Sequence, residues 1–144
     1  MGVASVLVLT AVAAIIFGTV SSVVQTSKTI SNVGSVKGIG VGIYWDAACT
    51  NRTSSINWGL LDPGSNKTAT VYVRNEGNTA ATLSKAVQNW NPSTASSYMS
   101  LKWNYAGQTL SVNQVLQMRL TLVVSSSITG ITSFAFDIVI VATG

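Results

Sequence analysis

The N-terminal stretch of the chain, residues 1–24, carries no charged side chain and no proline. It consists mostly of Val, Ile, Leu, Ala, Gly, Ser and Thr, and the first charge in the chain is Lys28. At a helical rise of about 1.5 Å per residue the stretch would span roughly 36 Å, which is enough to cross a bilayer. We therefore predict a long hydrophobic α-helix over residues 1–30, and this helix must be shielded from water.

Three interpretations of this helix stay open. A secretory signal peptide begins with a basic region and has a shorter apolar core, and the basic region is missing here. A membrane anchor and a helix that packs against copies of itself need the same hydropathy, so hydropathy does not separate them. Small residues spaced four apart favour self-packing, because they line one helix face and let backbones approach closely. They are Thr10, Ala14, Gly18 and Ser22.

The chain holds few charges, with eight basic and four acidic residues among 144. The basic residues are scattered singly, which argues against a nucleic-acid-binding surface. Most of the polar surface must then come from Ser, Thr, Asn and Gln, whose interactions depend little on pH and salt. We expect such a surface on an extracellular protein.

The side chains of most catalytic sites are missing. The sequence has no histidine, which removes the commonest general base and metal ligand. Cys49 is the only cysteine, so no intrachain disulfide can form, and we expect it to be a small, partly buried apolar residue. The carboxylates are too dispersed to predict an acid–base pair; they are Asp46, Asp62, Glu76 and Asp137. We predict that the protein is not an enzyme and needs no cofactor or metal.

Residues 25–36 are polar, and we expect the helix to end there, with residues 31–36 as a hinge. Residues 37–46 alternate between large apolar side chains and three glycines, which predicts one β-strand. Glycines on one face of a strand suggest close approach by another backbone, such as the helix or a neighbouring subunit. The three are Gly38, Gly40 and Gly42.

The remaining chain reads as short strands separated by turns. Period-two patterns cover residues 67–75, 115–125 and 133–142, and turn sequences recur every 8–12 residues. We predict seven or eight strands in an immunoglobulin-like antiparallel β-sandwich over residues 37–144. With the N-terminal helix, the fold class is α+β by content and mainly β.

Two tripeptides match the N-glycosylation acceptor pattern Asn-X-Ser/Thr. They begin at Asn51 and Asn66, and both are predicted to lie in loops. A third Asn-X-Ser sequence, at Asn91, is excluded by Pro92. We therefore treat Asn51 and Asn66 as possible glycan attachment sites.

An uncharged apolar N-terminal helix, a short Ser/Thr/Asn hinge and a β-sandwich head resemble the archaeal type IV pilins and archaellins. The sequences WGLLDPG at residues 58–64 and VRNEGNTAATL at residues 73–83 look like small immunoglobulin-like domains of archaeal surface proteins. In that family a basic leader is cleaved before the apolar segment, so the numbering here would begin near the mature end. The acidic residue that bacterial pilins carry near the helix start is replaced by Ser5.

The resemblance implies a structural subunit of an extracellular pilus that serves adhesion. The protein would be inserted in the membrane first, and then assembled with its own copies by membrane machinery. An alternative is a thread-type filament, in which the apolar segment is removed and residues 26–36 insert as a strand into the next subunit. A third hypothesis is a membrane-anchored adhesion domain, with Trp58, Trp90 and Tyr98 as candidates for an exposed aromatic patch.

Overall fold

The computed structural model describes residues 31–32 and 34–144, and these residues form two β-sheets. The only helix among these residues is a short 3₁₀ helix, Ser93–Ser97. The strands are β1 (Ser31–Asn32), β2 (Gly34–Ile39), β3 (Val41–Tyr44), β4 (Ser55–Ile56), β5 (Asn66–Asn75), β6 (Thr82–Asn91), β7 (Met99–Trp103), β8 (Val115–Val124) and β9 (Ser133–Thr143).

The first sheet is built around β9. On one side β9 pairs antiparallel with β6, and on the other it pairs parallel with β1 and β2. Ser31 lies opposite Ser133 and Ser35 lies opposite Asp137, so β1 and β2 follow β9 in the same register. The short strand β4 pairs antiparallel with the beginning of β2. Strand β2 therefore has a neighbour on each side, β9 and β4.

The second sheet is antiparallel throughout, in the order β3-β5-β8-β7. Its long central strands β5 and β8 alternate between buried and more exposed positions, as expected for a sheet with one face on the core. In β8 the buried positions are Met118, Leu120, Leu122 and Val124.

The core lies between the two sheets. The long strands of each sheet contribute apolar side chains at alternate positions, and loops add Trp58, Leu61 and Leu110. Trp58 and Trp90 both stack on Phe136, with ring centroids 6.3 and 4.3 Å away. Burying each large apolar side chain stabilises the fold by about 1.5–3 kcal/mol.

The chain crosses from one sheet to the other at Gly40. Here φ is +75°, a conformation that glycine adopts without steric cost. At Gly38 a Cβ atom would collide with the carbonyl oxygen of Val41. The prediction of one strand over residues 37–46 is therefore wrong, because β2 and β3 belong to different sheets. The close backbone approach does occur at Gly38, but the approaching backbone is the chain's own.

The predicted α+β fold class is also wrong. The described residues are mainly β and contain no α-helix, and the predicted helix over residues 1–30 lies outside them. Ser31, Asn32 and Gly34–Val36, which we assigned to a hinge, lie in β1 and β2. These residues form strands because β9 supplies hydrogen-bond partners for their backbone. Such pairing with a distant part of the chain cannot be predicted from the local polar sequence.

The predicted immunoglobulin-like sandwich needs a related correction. In the seven-strand immunoglobulin plan, strands A, B, E and D form one sheet and strands C, F and G form the other. By position, β3, β5, β8 and β7 correspond to A, B, E and D, while β6 and β9 correspond to C and F. The place of strand G is occupied by β2, which comes from the N-terminal end and runs parallel to β9.

Candidate functional site

The place that β2 occupies in the first sheet is the most unusual feature of the described chain. β2 pairs with β9 over Ser35–Ile39, and on its other side the N–H of Val36 donates to the carbonyl of Ser54 at 3.0 Å. Within Ser35–Ile39 only Val36 is buried. Backbone hydrogen bonds, together with one core side chain, therefore hold this segment in place.

A polar contact on the outer face of the sheet fixes β2 to its neighbours. The hydroxyl of Ser35 donates to Oδ1 of Asp137 at 2.5 Å, and Nδ2 of Asn89 donates to Oδ2 at 2.8 Å. These two hydrogen bonds, the one from Asn89 foremost, lower the pKa of Asp137. Asp137 thus links β2 to β9 and to Asn89 in β6.

A cluster of charged residues covers the outer side of β3. The hydroxyl of Tyr44 donates to Glu76, and Nη2 of Arg74 lies 2.9 Å from the same carboxylate. The guanidinium groups of Arg52 and Arg74 lie over the Tyr44 ring, 4.8 and 5.2 Å from its centroid. A Cβ atom on Gly42 would collide with Glu76 and Tyr44, so this glycine makes room for the cluster.

The electrostatics of the cluster are largely satisfied internally. Burial raises the pKa of Glu76, but hydrogen bonds from Tyr44 and Arg74, together with the charges of Arg52 and Arg74, hold the pKa below its usual range. The hydrogen bond to Glu76 raises the pKa of Tyr44, and the same carboxylate raises the pKa of Arg74. We interpret the cluster as a structural contact that fixes β3, β5 and the loop carrying Arg52.

The loop after β3 is held by Asp46. Its carboxylate accepts hydrogen bonds from the backbone N–H groups of Thr50 and Asn51 and from the Thr50 hydroxyl. The Thr50 hydroxyl is the main cause that lowers the pKa of Asp46. Cys49 lies in this turn with φ of +58° and is partly buried, in line with the expectation of a small, partly buried residue.

The predicted site residues fall into three groups. Thr10, Ala14, Gly18 and Ser22 lie outside the described residues. Asn51 lies in an irregular segment and is exposed, whereas Asn66 is exposed but begins β5, so its placement in a loop was wrong. Trp58 is buried in the core, while Trp90 and Tyr98 are half-buried against it.

The described residues hold no group of three or more His, Cys, Asp or Glu side chains able to bind a metal ion. Within the same residues there is no helix of the length and hydropathy that crossing a bilayer requires.

Sequence reasoning placed only residues 37–39 of β2 in a strand, and it missed the pairing of β2 with β9 and the charged cluster. A β-branched Val and Ile in residues 34–39 were a signal for a strand, but nothing local indicates parallel pairing with β9. Arg74 and Glu76 lie two residues apart, but nothing in the sequence connects them with Tyr44 or Arg52. The bridge between Tyr44 and Arg52 and the pairing of β3 with β5 bring the four residues together.

No family model matches the chain, and no curated protein matches it either.

Proposed function

We propose that the protein is a structural subunit of an extracellular filament that serves surface attachment. The observation that carries this proposal is the position of β2 in the first sheet. In the immunoglobulin plan the strand at this position follows strand F, to which β9 corresponds, whereas β2 precedes β9 in the chain. A copy of the same segment from a neighbouring molecule would offer the same backbone groups and the same Val36. Exchange of an identical element between copies is a low-cost route to assembly.

The glycines around the crossing suit such an exchange. If β2 leaves its own sheet, the chain must change direction between β2 and β3. Gly40 lies at this point and Gly38 lies two residues before it, and glycine permits conformations that other residues avoid. The released strand would insert beside β9 of the next copy, with main-chain hydrogen bonds supplying much of the affinity.

A low density of charge supports the same proposal. Neighbouring subunits of a polymer lie close together, and like charges repel each other at such distances. With twelve charged residues in 144, the chain presents little self-repulsion. The expected partners are copies of this chain and the membrane machinery that assembles them, and the expected location is the cell surface.

A second assembly mode is favoured by the uncharged stretch of residues 1–24. If this stretch is retained, its apolar surface would be buried against the same stretch in other copies, at about 25 cal/mol per Å². Strand exchange after removal of the stretch, in contrast, predicts a mature chain that begins beyond Val24. N-terminal sequencing of the mature protein separates the two modes.

The decisive experiment for strand exchange uses paired cysteines in a Cys49→Ser background. Ser35 and Asp137 lie opposite each other in the parallel pair of β2 and β9. If β2 inserts into a neighbour, the double variant Ser35→Cys, Asp137→Cys yields a ladder of disulfide-linked polymers on a non-reducing gel. If β2 stays in its own sandwich, the bond forms within one chain and only monomers appear.

A matched pair controls for reactivity. Thr68 and Thr121 lie opposite each other in β5 and β8, and their hydroxyl oxygens are 3.2 Å apart. The variant Thr68→Cys, Thr121→Cys should give monomers under either assembly mode. Electron microscopy of sheared cell-surface material tests the filament itself, and extraction of single subunits by detergent, without polymers, would overturn the proposal in favour of an anchored adhesion domain.

A further inference from the structure

Trp45 is one of the few large apolar side chains exposed in the described part of the chain. It directly follows β3, and 40% of its surface is accessible. The other aromatic residue at this edge, Tyr44, is buried beneath the charged cluster. The exposed indole lies at the edge of the second sheet, next to the loop that carries Asn51.

Backbone contacts place Asn51 directly opposite Trp45. The N–H of Trp45 donates to the carbonyl of Asn51 at 2.8 Å, and Tyr44 forms a β-bridge with Arg52. Opposite residues in an antiparallel pair project to the same face, with Cβ atoms about 4.5–5.5 Å apart. Tyr44 and Arg52 meet on one face, so Trp45 and Asn51 share the other.

We propose that Asn51 carries an N-linked glycan whose first sugar packs on the indole ring of Trp45. Asn51 is exposed and begins the acceptor sequence Asn51-Arg52-Thr53. A sugar ring presents C–H groups to the face of an aromatic ring, and tryptophan offers the largest such face. The glycan would cover the exposed indole and the adjoining edge of the sheet.

The attachment is a group transfer from a lipid-phosphate-linked oligosaccharide. Nδ2 of Asn51 attacks the anomeric carbon of the first sugar, and a carbon–nitrogen bond forms. The bond between that carbon and the phosphate oxygen breaks, the lipid phosphate leaves with the electron pair, and Nδ2 loses one proton to a base of the transferase. The inference requires passage of the chain to the outside of the cell, but it does not require a filament.

Thr53 adds a constraint on when the transfer occurs. Its side chain is buried, and its hydroxyl has no hydrogen-bond partner among the described residues. The acceptor pattern requires a hydroxyl at this position. No contact in the described part of the chain explains the hydroxyl. Because it is buried there, the transferase must bind it before the loop packs against β3.

The second acceptor sequence serves as a comparison. Asn66 is exposed, but it begins β5 and its backbone pairs opposite Val123 in β8. The hydroxyl of Thr68, two residues on, contacts the Thr121 hydroxyl at 3.2 Å. No corresponding exposed aromatic residue is opposite Asn66, so we assign the glycan to Asn51.

The test is mass spectrometry of proteolytic peptides from the full chain, purified from its own host cells. The peptide containing Asn51 should be heavier than its sequence by the mass of a glycan. Asn51→Gln and Thr53→Val should both abolish this addition, and Asn66→Gln should leave it in place. Thr53→Val is informative because it removes only an unpaired hydroxyl and keeps the shape of the side chain.

Packing on Trp45 has a separate readout in thermal unfolding. Asn51→Gln should lower the Tm by roughly 2–5 °C in the wild-type chain, and by less than half as much in a Trp45→Ala background. Equal decreases in the two backgrounds would overturn the packing. An unmodified Asn51 peptide from the exported wild-type chain, or a glycan on Asn66 alone, would overturn the attachment. Filaments seen by microscopy are independent of both results.

Discussion

Asn75 shows what one buried polar side chain contributes to this fold. Its Nδ2 donates to the carbonyls of Thr79 and Leu110 at 2.8 and 3.0 Å, and its Oδ1 accepts from the N–H of Gly77. A buried backbone group without a partner costs about 1–3 kcal/mol. Asn75 therefore organises the turn after β5 and attaches it to the segment before β8.

We expect Asn75→Ala to destabilise the domain by about 2–4 kcal/mol, because it removes three hydrogen bonds and takes this partner from the Thr79 carbonyl and the Gly77 N–H, while Leu110 keeps its bond from Ala81. Asn78→Ala, in the same turn but exposed, should change the free energy of unfolding by less than about 0.5 kcal/mol. Urea unfolding followed by fluorescence measures both. Equal effects of the two changes would show that the hydrogen bonds of Asn75 carry no special weight.

Glu76 should make the stability of the domain sensitive to acid. Its folded-state pKa lies below the ordinary value of 4.5, so its contribution is present above that pH and is lost as the pH falls through the folded pKa. Asp46 and Asp137 are shifted in the same direction and add to the loss. The chain has no histidine that would add a transition near neutral pH.

The expected result is a Tm that falls as the pH drops below about 4.5, the ordinary pKa of a glutamate. Glu76→Gln should have a lower Tm than the wild type at pH 7, because the charged contacts with Arg74 and Arg52 are weakened. At low pH the two proteins should converge. Circular dichroism melts across the pH range measure this, and a constant difference in Tm at every pH would contradict it.

At the scale of the elements, the passage from β2 to β3 depends on close contact between two parts of one chain. A Cβ atom on Gly38 would meet the carbonyl oxygen of Val41, which is a backbone atom and cannot move without shifting the crossing. We expect Gly38→Ala to destabilise the domain by about 2–4 kcal/mol.

Gly107→Ala is the matched control for Gly38→Ala. Unlike Gly38, Gly107 has a backbone conformation that favours glycine, with φ of +87°, but nothing lies within 4 Å of the added Cβ. Gly107→Ala should therefore lower the free energy of unfolding only by the cost of a Cβ atom in this backbone conformation, about 1 kcal/mol. Denaturant unfolding compares the two variants, and a smaller loss for Gly38→Ala than for Gly107→Ala would argue against a tight crossing.

The strands with regular alternation were predictable from the sequence. For β5, β8 and β9 the predicted bounds differ from the observed ones by one residue at most, because a period-two pattern records burial on one face directly. The same kind of pattern gave a wrong prediction at residues 37–46. The alternation continues from β2 through Gly40 into β3, but these two strands belong to different sheets. Membership of a sheet depends on distant partners, and a single sequence does not reveal them.

The site was less predictable than the fold. The exposure of Asn51 followed from its polar loop, but its position opposite Trp45 depends on how the loop returns along β3. Asn66 appeared to belong to a loop because it follows Asp62-Pro63-Gly64, yet β5 already begins there. The charged cluster depends on pairing between residues more than twenty positions apart, as with Arg52 and Glu76.

For the whole molecule, the scarcity of charge predicts an assembly that tolerates salt. The described ion pairs converge on Glu76, and the contacts proposed for strand exchange are backbone hydrogen bonds and Val36. Screening at about 1 M salt reduces the Debye length to about 3 Å, but it affects such contacts little.

We therefore expect the filaments to keep their length between about 0.05 and 1 M sodium chloride, since the Debye length matters only to exposed charges. Light scattering and electron microscopy of the same samples measure this. Dissociation in high salt would indicate that charged groups hold the subunits together. Filaments carrying Glu76→Gln provide the control for the one described ion cluster.

The pairing of β2 with β9 also imposes an order of events during synthesis. The contact between Ser35 and Asp137 joins positions 102 residues apart, so an early-made segment must wait for the last strand of the chain. Closing so long a loop is slow compared with forming local hairpins. Until β9 has been synthesised, β2 has only β4 as a partner strand, and the first sheet is incomplete.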